Sequence, residues 1–440
     1  MQTTALQRPR IRLRSSTALA AFTYTPIIVD AIVANHRKEI IVDTPRASRA
    51  FPVIPEHEFA ERINAFREKM AEHNIDLVVI FSNLLDPSAV RYFSDVYAVN
   101  ESAAMVIPRR GEPILCSGQA GHEWSAYKSK VHDIRIMPEV GEVSGVEYEI
   151  EVLDFEDLFK ELKAKYIVKK IGIIGDLIFP FEIYKKLERV FPDAHKVSAE
   201  TLMYALRVRK SANELACIRK AGEIITETFE YAIPRIQPGM TELDIQADLE
   251  GQMLRLGAEA YTLSWAPMVA SGPERSNLCM QRNSLRRVQE GEIIAVAAGA
   301  LYEGYNAVIC TPVVLGKIPD EIKKAVNVAY QALRLVSDKF RPGATSRELY
   351  AAYMQFLAEK GYRQYTPYGS VHSLGMLECE SPFFSANRDV VLVENAVVAI
   401  DAYFKGMAWG SFRIEDTFIV GADGPELVTR FNEKHLTIFQ

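Results

Sequence analysis

From Glu56 onward the chain alternates two hydrophobic periods. Phe59, Ile63, Phe66 and Met70 recur every three or four residues, the spacing of one helix face, and the run IDLVVIF at 75–81 follows with almost no polar interruption. Such a run predicts a strand covered on both faces. The segments AAMVIP and EPILCS flank Arg109-Arg110-Gly111 as the arms of a predicted hairpin, and a helical stretch around Phe155–Leu162 leads to another buried strand in KKIGIIG at 169–175. Residues 55–204 are therefore expected to form an α/β domain.

The pattern changes at RVRKSANEL. Ser211 and Glu214 have the spacing of a capping box, in which hydroxyl and carboxylate each satisfy an orphan amide of a first helical turn. Leu215, Ile218, Gly222, Ile225 and Phe229 continue that helix by threes and fours until Pro234 and Pro238-Gly239, and Thr241 opens a second helix running to Gly257. The arrangement recurs 104 residues later, where Pro342-Gly343-Ala344-Thr345 leads to Gly361. A constant offset over two helices predicts an internal repeat with pseudo-two-fold symmetry. Strand patterns at 292–301, 306–316, 394–404 and 415–421 accompany it, and connections as short as Tyr302–Tyr305 predict a curved antiparallel sheet with a pocket on its inner face. Residues 205–440 are expected to form this α+β domain.

Composition narrows the partners. A chain of 440 residues exceeds what one hydrophobic core usually serves. With 48% apolar and 25% charged residues it reads as globular, and no apolar run has the length of a membrane span. A net charge of −6 disfavours nucleic acid as a partner, leaving small molecules or short peptides. The five cysteines form no CxxC pair or regular framework, which suits the cytoplasm. Residues 1–54 stand apart: Arg8, Arg10, Arg12 and Arg14 lie among Ser, Thr and Ala with no acid before Asp30, the composition of an organelle-targeting segment or a flexible basic arm.

The segments LRVRKSANELACIRKAGEI (206–224), IQPGMTELDI (236–245), ASG (270–272), GEIIAVAAGALYEGYNAVICT (291–311), HSLG (372–375), VENAVVAID (393–401) and FRIEDTFIVGADG (412–424), in this order, resemble the creatinase, prolidase and methionine-aminopeptidase family. The resemblance implies a pita-bread fold behind an α/β domain, hydrolysis of a C–N bond, and a homodimer. It also implies a dinuclear metal centre of two Asp, one His and two Glu. The two Asp positions hold Ala297 and Val308, while His372, Asp401 and Glu415 match the remaining three. Hard divalent ions need oxygen donors, so a dinuclear centre is not expected; no cofactor, or one divalent ion on His372, Asp401 and Glu415, is.

Other candidates follow from the same alignment. Creatinase-type pocket groups would fall near Leu278 or Cys279, at Cys310 and at Cys379, so three cysteines map to pocket positions. They are read either as a thiolate nucleophile with His372 as base or as small buried hydrophobes filling vacated space. Cys310, Cys379, Glu380, Arg413 and Tyr305 are the candidate substrate-binding residues, with His372, Asp401 and Glu415 catalytic. The leading expectation is a metal-independent, creatinase-like hydrolase of a small polar metabolite using general acid–base catalysis. Two alternatives stand beside it: an atypical Xaa-Pro aminopeptidase or dipeptidase with at most one metal ion, and a non-catalytic pita-bread protein that binds peptides.

Overall fold

The computed structural model describes residues 51–142, 153–261 and 266–436. The basic N-terminal stretch with its targeting-like composition lies outside the described residues. The first sheet has strands β1 (Leu77–Ser82), β2 (Ala103–Pro108), β3 (Ile114–Ser117), β4 (Asp133–Ile136), β5 (Lys170–Ile174) and β6 (His195–Ser198), in the order β4-β3-β2-β1-β5-β6. The β2–β3 hairpin is antiparallel, as its sequence predicts, whereas β1 pairs with β5 in parallel. The unbroken apolar run of β1 has a simple cause. Val78 and Ile80 enter one core with Phe59, Phe66 and Met70 of the helix Glu56–Glu72, while Leu77, Val79 and Phe81 enter another with Phe155 and Phe159.

The second sheet is built from β7 (Ala260–Tyr261), β8 (Met268–Ser271), β9 (Ile293–Tyr302), β10 (Tyr305–Val314), β11 (Val371–Ser373), β12 (Glu380–Phe383), β13 (Val397–Met407), β14 (Gly410–Gly421) and β15 (Gly424–Leu427). Its main path is β12-β11-β13-β14-β10-β9-β7, with β8 on β9 and β15 on β14, and every pairing is antiparallel. The helix Ala212–Ala232 packs on β9 and β10, and the helix Asp320–Ser337 packs on β13 and β14. Each buried Ile, Leu or Phe on these faces contributes roughly 1.5–3 kcal/mol, so the apolar stripe fixes which side of each helix meets the sheet.

The repeat is carried into backbone detail. Ser211–Glu214, Thr241–Asp244 and Thr345–Glu348 all close as capping boxes. Gly239 and Gly343 both adopt φ of 92°, a left-handed conformation that disfavours a β-carbon. Their amides donate to Val288 O and Leu392 O, each at 2.9 Å. Thr241 bridges Arg287 and Thr345 bridges Val391, so both partners of the bridge are displaced by the same 104 residues.

Buried charge joins the two sheets' surroundings. Arg91 forks onto Glu259 at 2.8 and 2.6 Å. Arg62 meets Glu58 at 2.6 Å, and Tyr305 donates to Glu214 at 2.6 Å while accepting from Arg62 at 3.2 Å. Glu380 takes Lys210 at 3.1 Å on one oxygen and Arg207 on the other, and Arg207 also donates to Ser88 at 2.9 Å.

Candidate active site

Strand register lines up the site. Paired residues on neighbouring strands share a face, and Met268 pairs with Ala297, Ala297 with Cys310, Cys310 with Glu415, and Glu415 with Asp401. This row crosses five strands and changes character along the way. Met268, Ala297 and Cys310 form a small apolar cluster at one end, and two carboxylates stand at the other.

His372 lies beside the acidic end. Its Nε2 is 3.2 Å from Glu415 Oε1 and 3.6 Å from Glu378 Oε1, and its Nδ1 is 3.2 Å from Ser373 O. Burial by itself disfavours the imidazolium, but hydrogen bonds to Cys379 and Glu415 and the charges of Glu378 and Glu415 outweigh it, holding the pKa well above 6.5. Glu415 is buried too, yet His372, the Cys310 thiol and Arg413 keep its carboxyl below the usual range. Cys310 donates to Glu415 Oε2 at 3.0 Å. Burial and that neighbouring carboxylate push the thiol pKa well up, so it remains protonated.

The other end opens as a small concavity lined by Met268, Leu278, Ala297, Cys310, Phe412 and Arg413, among others. Arg413 lies over the Tyr403 ring at 4.5 Å, with Nη2 3.1 Å from Cys279 Sγ and Nη1 3.8 Å from Asp401 Oδ2. Tyr368 OH donates to the same Asp401 oxygen, and Asp401 Oδ1 has no hydrogen-bond partner among the described residues. Burial raises the Asp401 pKa, and Arg413 offsets part of the rise.

Two family models account for most of the chain. Residues 62–209 match the creatinase/prolidase N-terminal domain, and residues 216–422 match metallopeptidase family M24. The chain belongs to the creatinase/prolidase (M24) family. It is 27% identical over 371 residues to an Xaa-Pro dipeptidase of Pyrococcus horikoshii, covering 84% of this chain and 97% of that protein. An Xaa-Pro dipeptidase of Pyrococcus furiosus is 26% identical over 84% of this chain and 98% of its own length. Among solved structures, the prolidase from Pyrococcus horikoshii superposes with a TM-score of 0.71 at 24% identity, covering 84% of this chain and 98% of that one. The X-Pro aminopeptidase from Thermotoga maritima gives 0.72 at 24% identity over 83% and 97%. These likenesses establish the pita-bread fold with its curved antiparallel sheet, and membership places the chain among hydrolases acting on C–N bonds.

The donor set of this M24 chain departs from a two-metal centre. Ala297 presents a methyl group to the concavity, and Val308, fully buried, packs into the main core. A single ion finds a better match: donor atoms of His372, Glu378 and Glu415 all lie within 4.8 Å of one another, a separation compatible with ligands about one ion. Of the expected set, His372 and Glu415 belong to this group and Asp401 does not. Asp401 is drawn toward Tyr368 and Arg413, and Glu378, from the loop after β11, takes its place.

Two expected substrate contacts are also corrected. Glu380 is buried against Arg207 and Lys210, whose charges outweigh its desolvation and depress its pKa, so it has no free charge for a ligand. Gly375 of the HSLG segment allows this approach, because a β-carbon there would collide with Glu380 and crowd Lys210. Tyr305 is 1% exposed and spent on Glu214 and Arg62, away from the concavity. Cys310 and Arg413 do line the concavity, and Cys379 is exposed beside His372. Sequence reasoning missed Tyr368, four residues before His372, and left Glu378 open between a substrate contact and a solvated turn; no periodicity or motif sets either apart from its neighbours.

Proposed function

We propose that the chain hydrolyses the C–N bond of short peptides of the Xaa-Pro kind, with at most one divalent ion. The observation that carries this is the placement of His372 between Glu378 and Glu415. The imidazolium can deliver a proton to the departing nitrogen while a neighbouring carboxylate takes one from the attacking water, so the new C–O bond forms as the C–N bond breaks. With an ion bound instead, neutral His372, Glu378 and Glu415 would be its ligands and the ion would supply Lewis-acid polarisation of the scissile carbonyl in place of the imidazolium's proton.

The small polar metabolite of the creatinase-like reading has less support. Met268, Leu278, Ala297 and Phe412 give the concavity an apolar wall, which suits a pyrrolidine ring, and the relatives' names point to peptides. A thiolate mechanism through Cys310 is disfavoured by the protonated thiol. A homodimer working in the cytoplasm completes the proposal. It accords with closed two-fold pairs being the commonest assemblies and with five free cysteines. Among the described residues no helix is long and apolar enough to cross a membrane.

The test is turnover of Xaa-Pro dipeptides against matched Xaa-Ala dipeptides and small guanidino compounds, with chelator or with added Mn²⁺ or Zn²⁺. Xaa-Pro cleavage is expected, with no more than about one equivalent of metal per chain by elemental analysis. His372→Gln should keep the fold and substrate binding and lower kcat at least ~100-fold. Cleavage confined to guanidino compounds, or two metal equivalents retained through dialysis, overturns the proposal. Absence of any turnover beside tight peptide binding would mark a binding protein instead.

A further inference from the structure

A second cleft lies in the α+β domain, and its lining has no residue in common with that of the concavity beside His372. Three stretches far apart in the chain build it. The first two turns of the helix Asp320–Ser337 bring Glu321 and Lys324, the segment after the helix Ser346–Glu359 brings Lys360, Tyr362 and Tyr365, and the β13–β14 turn brings Trp409. Nothing in the hydrolase reading uses these residues.

The aromatic side of the cleft is fixed from within. Phe404 and Phe412, fully buried and paired across β13 and β14, have ring centres 5.4 Å apart. Tyr362 stacks on Phe404 at 5.4 Å with the planes 28° apart, and Trp409 stacks on Phe412 at 6.0 Å and 17°. Tyr365 lies 6.0 Å beyond Tyr362. The row of five rings thus has a centre held by the core and three outer members that reach the cleft. Rings anchored in this way have little freedom left to lose when a flat ligand ring lies against them, so the platform is organised before a ligand arrives.

The charge beside the platform is cationic. Lys324 and Lys360 are exposed and neither has an acidic partner among the described residues, Lys360 instead lying over the Phe356 ring at 5.5 Å. Glu321 is the single acid of the lining, so the two lysines leave a local excess of positive charge on a chain whose net charge is −6. One unpaired ammonium is ordinary on a surface. Two of them bordering one ring platform are complementary to a ligand that carries both a flat π face and an anion. A neutral sugar would leave the ammonium groups unused, and inorganic phosphate would leave the rings unused.

We propose that this cleft binds a small metabolite with a flat aromatic ring and a phosphate group, of the mononucleotide kind, at a site separate from the one around His372. The ring lies against Trp409, Tyr362 and Tyr365, and the phosphate takes Lys324 and Lys360.

The experiment is isothermal calorimetry on the full chain with AMP and UMP, each compared with its nucleoside and with ribose 5-phosphate. At least one mononucleotide is expected to bind ~10-fold or more tightly than either of its halves, because base–aromatic stacking and charge-assisted contacts are each of that scale. Lys324→Ala/Lys360→Ala should bring the mononucleotide down to the level of the nucleoside, and Trp409→Leu toward that of ribose 5-phosphate. Both lysines are exposed, so the lysine variant keeps the fold even if the Trp409 variant does not. Binding of neither mononucleotide overturns the proposal, as does a nucleoside or ribose 5-phosphate that binds as tightly as the mononucleotide. Undiminished mononucleotide binding by the lysine variant overturns it too, because the ligand would then sit elsewhere.

Discussion

Two groups of buried charge, one around Glu380 and Glu214 and one around Asp401, are completed differently. In the cluster that joins the sheets, both oxygens of Glu380 are engaged by Arg207 and Lys210, and Glu58, Arg62, Glu214 and Tyr305 satisfy one another. In the pocket cluster, Asp401 keeps an oxygen with no partner among the described residues, and Arg413 bonds to sulfur. An unmade hydrogen bond to a buried charge is costly in a stable protein unless something else completes it. Arg207 Nε also lacks a partner among the described residues, so the contrast lies in the carboxylates: both oxygens of Glu380 are engaged, whereas one oxygen of Asp401 is not. The same contrast explains why two acidic residues two positions apart, Glu378 and Glu380, are not interchangeable: the cations near Glu380 come from Arg207 and Lys210, far away in the chain.

The comparison breaks first if the structural cluster proves dispensable. Arg207→Met should cost ~3–5 kcal/mol of stability in urea unfolding, since Glu380 would stay buried with half its neutralising charge gone. The sign of the pH effect follows from the depressed pKa of Glu380. Its stabilisation is present above the ordinary value near 4.5 and is lost as pH falls from there through the folded value. The double variant Arg207→Met/Glu380→Gln should show a shallower loss of stability over that acidic window; an identical slope would mean that Glu380 is not linked to folding.

A smaller effect is expected at Tyr305. Tyr305→Phe removes the hydroxyl shared by Glu214 and Arg62 and should lower stability by ~1.5–3 kcal/mol while leaving KM and kcat near the parent's. A raised KM without a loss of stability would return Tyr305 to the substrate site. The smallest change belongs to Cys310. Cys310→Ala leaves the His372–Glu378–Glu415 group in place and should alter turnover by less than ~10-fold, because a thiol held protonated is a poor nucleophile. Loss of activity comparable to that of His372→Gln would revive the thiolate mechanism.

Much of the scaffold was legible before any coordinates. The three capping boxes, the 104-residue repeat and the double-sided burial of β1 are local patterns, and local patterns are set by backbone hydrogen bonding and side-chain period. Within the site, His372, Glu415, Cys310 and Arg413 were named from motif positions, and the register of β9, β10, β13 and β14 brings Cys310 and Glu415 face to face. Glu380 and Tyr305 were misread for one reason: their partners Arg207, Lys210, Glu214 and Arg62 lie roughly 90 to 240 residues away, at separations that no spacing rule reaches.

The sequence by itself determined the family and the main helices and strands, and it puts apolar Ala297 and Val308 where the resemblance implies carboxylates, because each depends on residue identity at a fixed offset along the chain. Only the tertiary structure decided which acid stands beside His372 and which is silenced by a cation. Glu378, Asp401 and Glu380 have the same chemistry in isolation, and what separates them is distance: 3.6 Å from Glu378 to His372, 3.8 Å from Asp401 to Arg413, and 3.1 Å from Glu380 to Lys210. A carboxylate's charge state and role are set by the field of its neighbours, and in a folded chain those neighbours are assembled by packing rather than by sequence order.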